Sequence, residues 1–325
     1  MKIVSHTTKD PQKRDFLRKG VERILGDSAE VVFLDPGDDP QEVLRGAEIL
    51  LTYTFQPEWW QGCDSLKWVH AGGAGINHLG FPELVTSAVT ITNSRGIHAR
   101  TMSEYVLGAM LHYSQIVPQA LLWKQNRDWK AAKTAMTRES YTLRGKKAGI
   151  VGGGAIGTAV RDLCMQMEMG VFVIHRKRRG SETPWKVRNG DMGDLDALME
   201  WSDFVVVCLP LTNVTRRCIG RRQIGLMKKT GVLINIARGG LVDETALAEA
   251  LHAEQIGGAC LDVFEEEPLP VDSTLFDCPN LLMTPHAAGN YPEYVHDVIR
   301  LFLDNLERYA GGKALKNVVD WERGY

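Results

Sequence analysis

The sequence predicts an α/β protein built from two doubly wound parallel sheets. Short β-rich runs alternate with helical stretches along all 325 residues, a pattern typical of parallel strands joined by crossover helices. Many runs are apolar throughout, as expected of strands that are covered on both faces. A glycine-rich stretch at 152–157 divides the runs into two sets. Because a chain of this length suggests about two domains, we assign one sheet to each set.

The predicted strands are short and follow one another in chain order. Before the glycine-rich stretch they cover residues 2–5, 30–34, 48–52, 67–70 and 89–92. A further apolar run at 147–151 leads directly into the glycines. After the glycines the predicted strands cover residues 171–174, 204–208, 231–235, 258–261 and 281–284.

Two long helices are predicted on either side of the second set of strands. The first runs from residue 98 to about 125 and the second from about 292 to 310, because apolar residues recur there at helical spacing. We expect the two helices to act as a pair of hinges between the domains. The predicted domains are therefore 1–98 plus 289–325, which is discontinuous, and 99–288, which is inserted into it. No appended regulatory domain is expected after the second helix.

Composition argues against several classes of protein. A formal net charge of −2 gives no reason to expect nucleic acid or an anionic membrane as a partner. No apolar run approaches the roughly 18 residues that span a bilayer, and the N-terminus lacks the apolar core of a signal peptide. The six cysteines are scattered without a CxxC pair, which predicts free thiols in the cytoplasm and no metal site.

The glycine-rich stretch has the pattern of a dinucleotide-binding turn. Gly152, Gly154 and Gly157 stand at GxGxxG spacing, after an apolar run and before an amphipathic one. In that pattern one glycine forms the turn, one lets the backbone approach a pyrophosphate, and one lets the helix pack on the strand. With Ala155 and Ile156, the stretch would place the free N–H groups of a helix N-terminus at the phosphates.

Three further clusters follow predicted strands of the second set, at 235–243, 261–268 and 284–289. They contain Arg238, a run of glutamates and His286. The carboxyl ends of parallel strands meet at one edge of a sheet, where ligands bind, so these groups can converge. Arginine can hold a carboxylate in bidentate fashion, and histidine can move a proton near pH 7 while a neighbouring carboxylate orients it.

These motifs, in this order, resemble the D-isomer-specific 2-hydroxyacid dehydrogenase family over nearly the whole chain. The resemblance also rests on four short motifs, namely AGGAGIN at 71–77, MSEYVL at 102–107, LRGK at 143–146 and CLPLT at 208–212. It implies a Rossmann cofactor domain inserted into a flavodoxin-like substrate domain. It further implies an NAD(P)-dependent oxidoreductase that acts on small 2-oxo or 2-hydroxy acids, and a homodimer with the 98–125 segment packed on the partner.

The resemblance also implies roles for individual residues. Arg238 would bind the substrate carboxylate and 2-oxo oxygen, and His286 would be the general acid in reduction. Glu267 would pair with His286, because the family's glutamate immediately precedes proline as Glu267 does. The remaining contacts implied are Tyr53, Ala74 and Gly75 to the substrate, and Leu209, Pro210, Ala237 and Asp262 to the cofactor.

The basic residues after the strand at 171–174 predict a preference for NADP(H). An NAD site usually has an acidic residue about 20 positions past the glycines, bonded to the ribose 2′-hydroxyl. Here Arg176 and Lys177 stand at that place, next to His175. Arginine and lysine would pair with a 2′-phosphate that a carboxylate would repel. The alternative is a solvated basic turn with no role in cofactor choice, which would leave NAD(H) possible.

We therefore expect NADPH-dependent reduction of a small 2-oxo acid to the D-2-hydroxy acid. Glyoxylate and hydroxypyruvate are the first candidates, and a bulkier 2-oxo acid is equally open. Neutral Tyr53 and Thr54 disfavour a phosphorylated substrate, while Asn77 replaces an aspartate of the family without a clear consequence. Oxidation of formate or phosphite is a second possibility on the same scaffold. The main alternative is a non-enzymatic NAD(P)-sensing binding protein of the same fold.

Overall fold

The structure, a computed structural model, describes residues 1–76, 79–177 and 187–321. Asn77, which replaces an aspartate of the family, lies outside the described residues, and so do Arg178 and Arg179, which continue the basic run after Lys177. The chain divides into two compact units. One comprises Met1–Ile97 and Tyr291–Tyr325, and the other comprises His98–Asn290.

The first unit contains a five-stranded parallel sheet. Its strands are β1 Lys2–His6, β2 Glu30–Phe33, β3 Ile49–Thr52, β4 Trp68–Ala71 and β5 Thr90–Asn93, in the spatial order β2-β1-β3-β4-β5. This is the flavodoxin-like strand order. The helices of the unit are α1 Pro11–Leu25, α2 Pro40–Leu44, α3 Pro82–Val85 and, after the second unit, α11 Tyr294–Ala310.

Both faces of this sheet are covered, because successive side chains of a strand point to opposite faces. Ile3, Ile49 and Leu51 pack against buried apolar residues of α1 and α11, while Val4 and Leu50 belong to a second cluster on the other face. The segment after α11 runs antiparallel to β5, with Val318 opposite Thr92, and so covers the edge of the sheet.

The second unit contains a seven-stranded parallel sheet. Its strands are β6 Lys147–Val151, β7 Gly170–Ile174, β8 Val187–Gly190, β9 Phe204–Val207, β10 Val232–Asn235, β11 Gly258–Leu261 and β12 Leu281–Met283. The spatial order is β12-β11-β10-β9-β6-β7-β8, which is the Rossmann order extended by one strand. All strand pairs in both sheets are parallel, which confirms the predicted fold class.

The helices of the second unit cover its sheet on both faces. They are α4 Ala99–Ser114, α5 Val117–Asn126, α6 Trp129–Glu139, α7 Ala155–Gln166, α8 Leu195–Trp201, α9 Arg221–Gly225 and α10 Glu244–His252. Val106 and Met110 of α4 are buried with Val160 of α7 against one face. Leu247 and Leu251 of α10 are buried against the other face. Among the helices of the described residues, none has both the length and the apolar composition of a membrane span.

One expectation from the sequence was wrong, and one strand was not predicted. The segment 98–125 is not one helix, because α4 ends at Ser114 and Ile116 adopts a left-handed conformation with φ 43° before α5 begins. The strand β8 was missed, because Arg188 and Asn189 interrupt the apolar pattern on which strand prediction relies. The other strands match the expected runs to within one residue at each end.

Candidate active site

The candidate site lies at the carboxyl edge of the seven-stranded sheet. The chain passes from β6 to β7 on one side and then returns to β9 on the other side of β6. This reversal is the point where dinucleotides bind in doubly wound sheets. The loop after β6 holds the glycines, and the loop after β9 holds Leu209 and Pro210. Leu209 packs on the core, and the carbonyl of Pro210 accepts a hydrogen bond from Thr215.

The three glycines of the turn have different surroundings. Gly152 has φ 122°, and a Cβ there would lie 2.7 Å from the carbonyl oxygen of Cys208. A Cβ on Gly157 would lie 1.9 Å from the carbonyl oxygen of Gly152, so only glycine allows α7 to approach the turn this closely. Gly154 faces open space and is exposed together with Ala155 at the start of α7. A pyrophosphate therefore fits at the free N–H groups of Ala155, Ile156 and Gly157.

The residues after β7 divide into one buried and two exposed side chains. His175 is buried, and its Nε2 atom lies 2.9 Å from Oδ1 of Asn189. Its ring also fills the space beside Gly153, where a Cβ would lie 2.1 Å from Nδ1. Arg176 and Lys177 are exposed. The structure therefore gives His175 a packing position beneath the glycine turn and leaves two cations at the sheet edge.

Arg238 follows β10 in a tightly held loop. The side chain of Asn235 accepts a hydrogen bond from the Ala237 N–H and donates one to the Arg238 carbonyl. A Cβ on Gly239 would lie 1.8 Å from the carbonyl carbon of Phe264, so this loop packs directly on the loop after β11. The Arg238 side chain donates to the Ala237 carbonyl at 2.7 Å. Burial lowers the pKa of Arg238, and the nearby charge of Glu267 opposes that shift.

Glu267 and His286 form a direct pair at the neighbouring strand ends. Oε2 of Glu267 lies 2.7 Å from Nδ1 of His286, while Oε1 accepts a hydrogen bond from the Phe264 N–H at 3.0 Å. Partial burial works to raise the pKa of Glu267, but the hydrogen bonds from His286 and Phe264 and the charge of Arg238 outweigh it, so the pKa lies below its ordinary value. The His286 side chain is 49% exposed, which leaves its Nε2 edge accessible to a ligand.

The glutamates beside Glu267 have other surroundings. Glu265 forms two hydrogen bonds with Arg217, at 3.0 and 3.2 Å, and Glu266 is exposed. Of the three glutamates, Glu267 is the one whose carboxylate lies against His286.

Asp262 is the hub of a hydrogen-bond network, meaning that it accepts hydrogen bonds from several residues of the loop that carries His286. It is 1% exposed, and its carboxylate accepts hydrogen bonds from the Thr284 hydroxyl and from the N–H groups of Ala287 and Ala288. The His286 N–H donates to the Asp262 carbonyl at 2.7 Å. Sequence reasoning placed Asp262 at the cofactor and missed this role. Tyr105, which the sequence analysis also missed, extends the network because its hydroxyl lies 2.6 Å from the Thr284 hydroxyl.

In the first unit, the loop after β4 carries Ala74 and Gly75. The Asn93 side chain donates to the Ala74 carbonyl at 2.8 Å and fixes the loop from below. Tyr53 follows β3, and its ring lies against Gly72, where a Cβ would come within 2.4 Å of the ring. A side chain at position 72 would collide with the Tyr53 ring, so the loop requires glycine there.

Comparison of the sequence with protein families identifies the second unit. The model of the D-isomer specific 2-hydroxyacid dehydrogenase NAD binding domain matches residues 107–288. A glyoxylate reductase from Korarchaeum cryptofilum is 32% identical over 273 residues, which cover 84% of this chain and 82% of the relative. Glyoxylate/hydroxypyruvate reductase B from Pectobacterium carotovorum is 34% identical over 246 residues, or 76% of each chain.

Solved structures share the fold over the whole chain. An NADPH-dependent glyoxylate/hydroxypyruvate reductase from Sinorhizobium meliloti, solved with NADP and sulfate, is 26% identical with a TM-score of 0.84. The match covers 100% of this chain and 99% of the Sinorhizobium meliloti chain. A D-isomer specific 2-hydroxyacid dehydrogenase from Xanthobacter autotrophicus, solved with NADPH and MES, is 26% identical with a TM-score of 0.82 and 99% coverage of both chains.

Proposed function

The chain belongs to the D-isomer specific 2-hydroxyacid dehydrogenase family, a family of nicotinamide-dependent oxidoreductases, and we propose that it reduces a small 2-oxo acid to the D-2-hydroxy acid with NADPH. The observation that carries this proposal is the His286–Glu267 pair, 2.7 Å apart, beside Arg238 at the edge of the dinucleotide-binding sheet. These three side chains supply a proton donor, its orienting carboxylate and a cation for an acid substrate.

His286 is the proton donor in this proposal. A bound nicotinamide cofactor would supply the hydride for the 2-oxo carbon, so the substrate oxygen would need a proton from the protein. His286 donates that proton from Nε2, because its Nδ1 edge is held by Glu267. The lowered pKa of Glu267 keeps this carboxylate charged at neutral pH, so it can hold the Nδ1 edge of the ring by a charge-assisted hydrogen bond.

Arg238 binds and polarises the substrate. Its guanidinium carries several N–H donors in a fixed plane, which suits the carboxylate and the 2-oxo oxygen of the substrate. One of its nitrogens is already held by the Ala237 carbonyl, so the orientation of the plane is set before substrate arrives. Charge that develops on the substrate oxygen during reduction would be stabilised by this preorganised cation.

The preference for NADPH rests on Arg176 and Lys177. Both are exposed just after β7, where an acidic residue would bind the ribose hydroxyls of NAD. Two cations there suit the 2′-phosphate of NADP. The relatives from Sinorhizobium meliloti and Xanthobacter autotrophicus were solved with NADP and NADPH, which supports the same choice.

Glyoxylate and hydroxypyruvate are the first substrates to test, because relatives that share about a third of their residues with this chain are named for them. The experiment is a panel of 2-oxo acids with NADPH, followed by chiral analysis of the product. We expect turnover with at least one small 2-oxo acid and a D product. Tight NADPH binding without turnover on any 2-oxo acid would instead support a non-enzymatic binding protein.

We also propose that the protein is a homodimer that pairs through α5 and α6. Neither helix contains a buried residue in the single chain. Leu121, Leu122 and Trp129 are exposed by 61%, 55% and 83%, which leaves an apolar surface that a second copy would cover. The proposed partner is another copy of this chain, as the resemblance to the family implies.

A further inference from the structure

A series of hydrogen bonds connects helix α4 to Asp262 within the second unit. The Thr284 hydroxyl lies 2.6 Å from Oδ1 of Asp262, and the Tyr105 hydroxyl of α4 lies 2.6 Å from the Thr284 hydroxyl. The Sγ atom of Cys260 lies 3.3 Å from the Tyr105 hydroxyl. Cys260 is fully buried and Asp262 is 1% exposed, so both ends of the series are shielded from solvent.

The supply of protons fixes the direction of each bond in this series. A carboxylate only accepts hydrogen bonds, so the Thr284 hydroxyl donates its single proton to Asp262. The Tyr105 hydroxyl must then donate to the Thr284 oxygen, and the Cys260 thiol is left to donate to Tyr105. Burial raises the pKa of Tyr105 and raises the pKa of Cys260 to about 12, so both groups keep these protons at neutral pH.

The series ends on the carboxylate that holds the loop of His286. Oδ1 of Asp262 accepts a hydrogen bond from the Ala287 N–H at 2.8 Å, and Oδ2 accepts one from the Ala288 N–H at 3.0 Å. The Ala287 N–H belongs to the peptide bond that follows His286, so a shift of Asp262 would move the backbone that carries the ring. Hydrogen bonds in series polarise one another, so each donor strengthens the next bond toward Asp262.

The loop of Arg238 is held by other side-chain contacts. The Asn235 side chain bonds to the Ala237 N–H and to the Arg238 carbonyl, and the Arg238 side chain donates to the Ala237 carbonyl. The contacts that orient the proton donor are therefore separate from those that orient the cation for the substrate carboxylate.

We propose that Tyr105 is a positioning residue for proton transfer from His286, and that it acts through Thr284 and Asp262. Tyr105 touches no reacting atom in this role. The inference rests on the proposed function, because it takes His286 as the proton donor of a 2-oxo acid reductase. Since the donor serves the chemical step and Arg238 binds the acid, loss of the Tyr105 hydroxyl should lower the rate of the chemical step and leave KM unchanged.

The kinetic test compares Tyr105→Phe with the wild type in single turnovers at saturating NADPH, with glyoxylate and hydroxypyruvate as substrates. The variant keeps the ring and loses only the hydroxyl. A catalytic group displaced by about 1 Å can lose on the order of 100-fold in rate, so we expect the maximal single-turnover rate to fall at least about fivefold. We expect the KM of the substrate to change less than about twofold, because the contacts of Arg238 are intact.

Tyr113→Phe is the matched control. Tyr113 lies about two turns further along α4, and its hydroxyl donates to the carbonyls of Ala259 and Asn280 at the amino ends of β11 and β12. This variant also loses buried hydrogen bonds, but at the edge of the sheet away from His286. Its single-turnover rate should stay within about twofold of the wild type even if its stability falls.

A double-mutant cycle tests whether Tyr105 acts through Thr284. Thr284→Val removes the hydroxyl between Tyr105 and Asp262 and keeps the shape of the side chain. In that background Tyr105→Phe should lower the single-turnover rate by less than about a further twofold, because the series is already broken. Two effects that multiply in the double variant would overturn the proposed route.

Hydrogen exchange follows the same route without turnover. Exchange at the Ala287 and Ala288 amides is measured by mass spectrometry in a peptide that covers residues 284–289, with NADPH bound to the protein. We expect exchange about two- to tenfold faster in Tyr105→Phe than in the wild type, which is the effect of one hydrogen bond, and no change in Tyr113→Phe.

The two readouts separate this inference from the proposed function. Faster exchange in Tyr105→Phe, found for a wild type that reduces no 2-oxo acid, would support the route to Asp262 and refute the reductase. With an active wild type, a single-turnover rate equal in Tyr105→Phe and the wild type would overturn the role of Tyr105, whatever the exchange shows. An equal acceleration of exchange in Tyr113→Phe would overturn it as well, because the effect would then be a general loosening of the unit.

Discussion

The Nδ1 atom of His286 lies 2.7 Å from Oε2 of Glu267, although the two residues belong to loops that follow different strands, β12 and β11. The second carboxylate oxygen of Glu267 accepts a hydrogen bond from the Phe264 N–H, which orients the carboxylate toward the ring. This contact fixes which nitrogen of His286 is left for a substrate, and the predictions below depend on it.

Glu267→Gln should impair reduction without harming cofactor binding. Glutamine keeps the size of the side chain but removes the charge that strengthens the hydrogen bond to Nδ1 of His286. We expect kcat/KM for the 2-oxo acid to fall about 100-fold at pH 7, within the range for positioned proton transfer. Steady-state kinetics and a titration with NADPH, both at pH 7, measure the two properties. Glu265→Gln is the control and should stay within about threefold of the wild type, because Glu265 pairs with Arg217 instead.

Asp262→Asn should disturb the loop that carries His286. The carboxylate accepts three hydrogen bonds from residues 284–288, and an amide nitrogen in place of one oxygen would face donors. A buried donor without a partner costs about 1–3 kcal/mol, so we expect both a lower melting temperature and a kcat at least tenfold lower. Calorimetry and steady-state kinetics test this. The exposed Asp272→Asn variant should match the wild type, and a fully active, fully stable Asp262→Asn variant would contradict the hub role.

Arg176→Asp should move cofactor preference toward NADH. The substitution replaces a cation at the end of β7 with the carboxylate that NAD sites use. We expect the ratio of kcat/KM for NADPH to that for NADH to fall at least tenfold, because hydrogen bonds to charged groups contribute about 1.5–3 kcal/mol. Lys229→Asp, at the opposite edge of the sheet before β10, should leave the ratio unchanged. A wild type that already prefers NADH would refute the cofactor proposal.

The sequence was sufficient for the parts of the fold that depend on local chemistry. Apolar runs located the parallel strands, and the spacing of Gly152, Gly154 and Gly157 located the turn. The clusters after three strands pointed to Arg238, a run of glutamates and His286, because parallel strands bring their carboxyl ends to one edge. The choice of Glu267 within that run came from the resemblance to the family. A single rule of sheet geometry therefore led from the sequence to side chains that the structure brings together.

Other features depend on contacts that no local pattern encodes. The break at Ile116 was missed because apolar residues continue at helical spacing from α4 into α5. The hub role of Asp262 needs hydrogen bonds to residues 22 to 26 positions away along the chain. Tyr294 reaches Gly72 across 222 positions, and nothing in the sequence near either residue predicts that contact.

His70 should make the protein less stable as the pH falls. It is fully buried in the first unit between Thr92 and Ser94, and burial lowers its pKa to about 3. The unfolded chain takes up a proton near pH 6.5, whereas the folded chain does so only near pH 3, so stability is lost progressively between these values. The slope from this group approaches about 1.4 kcal/mol per pH unit.

Urea unfolding of His70→Asn at pH 7.5 and 5.0 measures this effect. We expect the variant to be less stable than the wild type at pH 7.5, and the difference to shrink at pH 5.0 because the variant lacks the titrating ring. The exposed His252→Asn variant serves as the control and should follow the wild type. A stability difference between His70→Asn and the wild type that is the same at both pH values would rule out the titration of His70 as its cause.

The most direct test of the central proposal is the ratio of kcat/KM for glyoxylate or hydroxypyruvate between the wild type and His286→Asn, measured with NADPH. Asparagine cannot donate a proton as imidazolium does, so we predict a ratio of at least 100, with the dissociation constant of NADPH changed less than threefold. A ratio near 1, or a wild type that binds NADPH and reduces no 2-oxo acid, would contradict the assignment of His286 as the proton donor of a 2-oxo acid reductase.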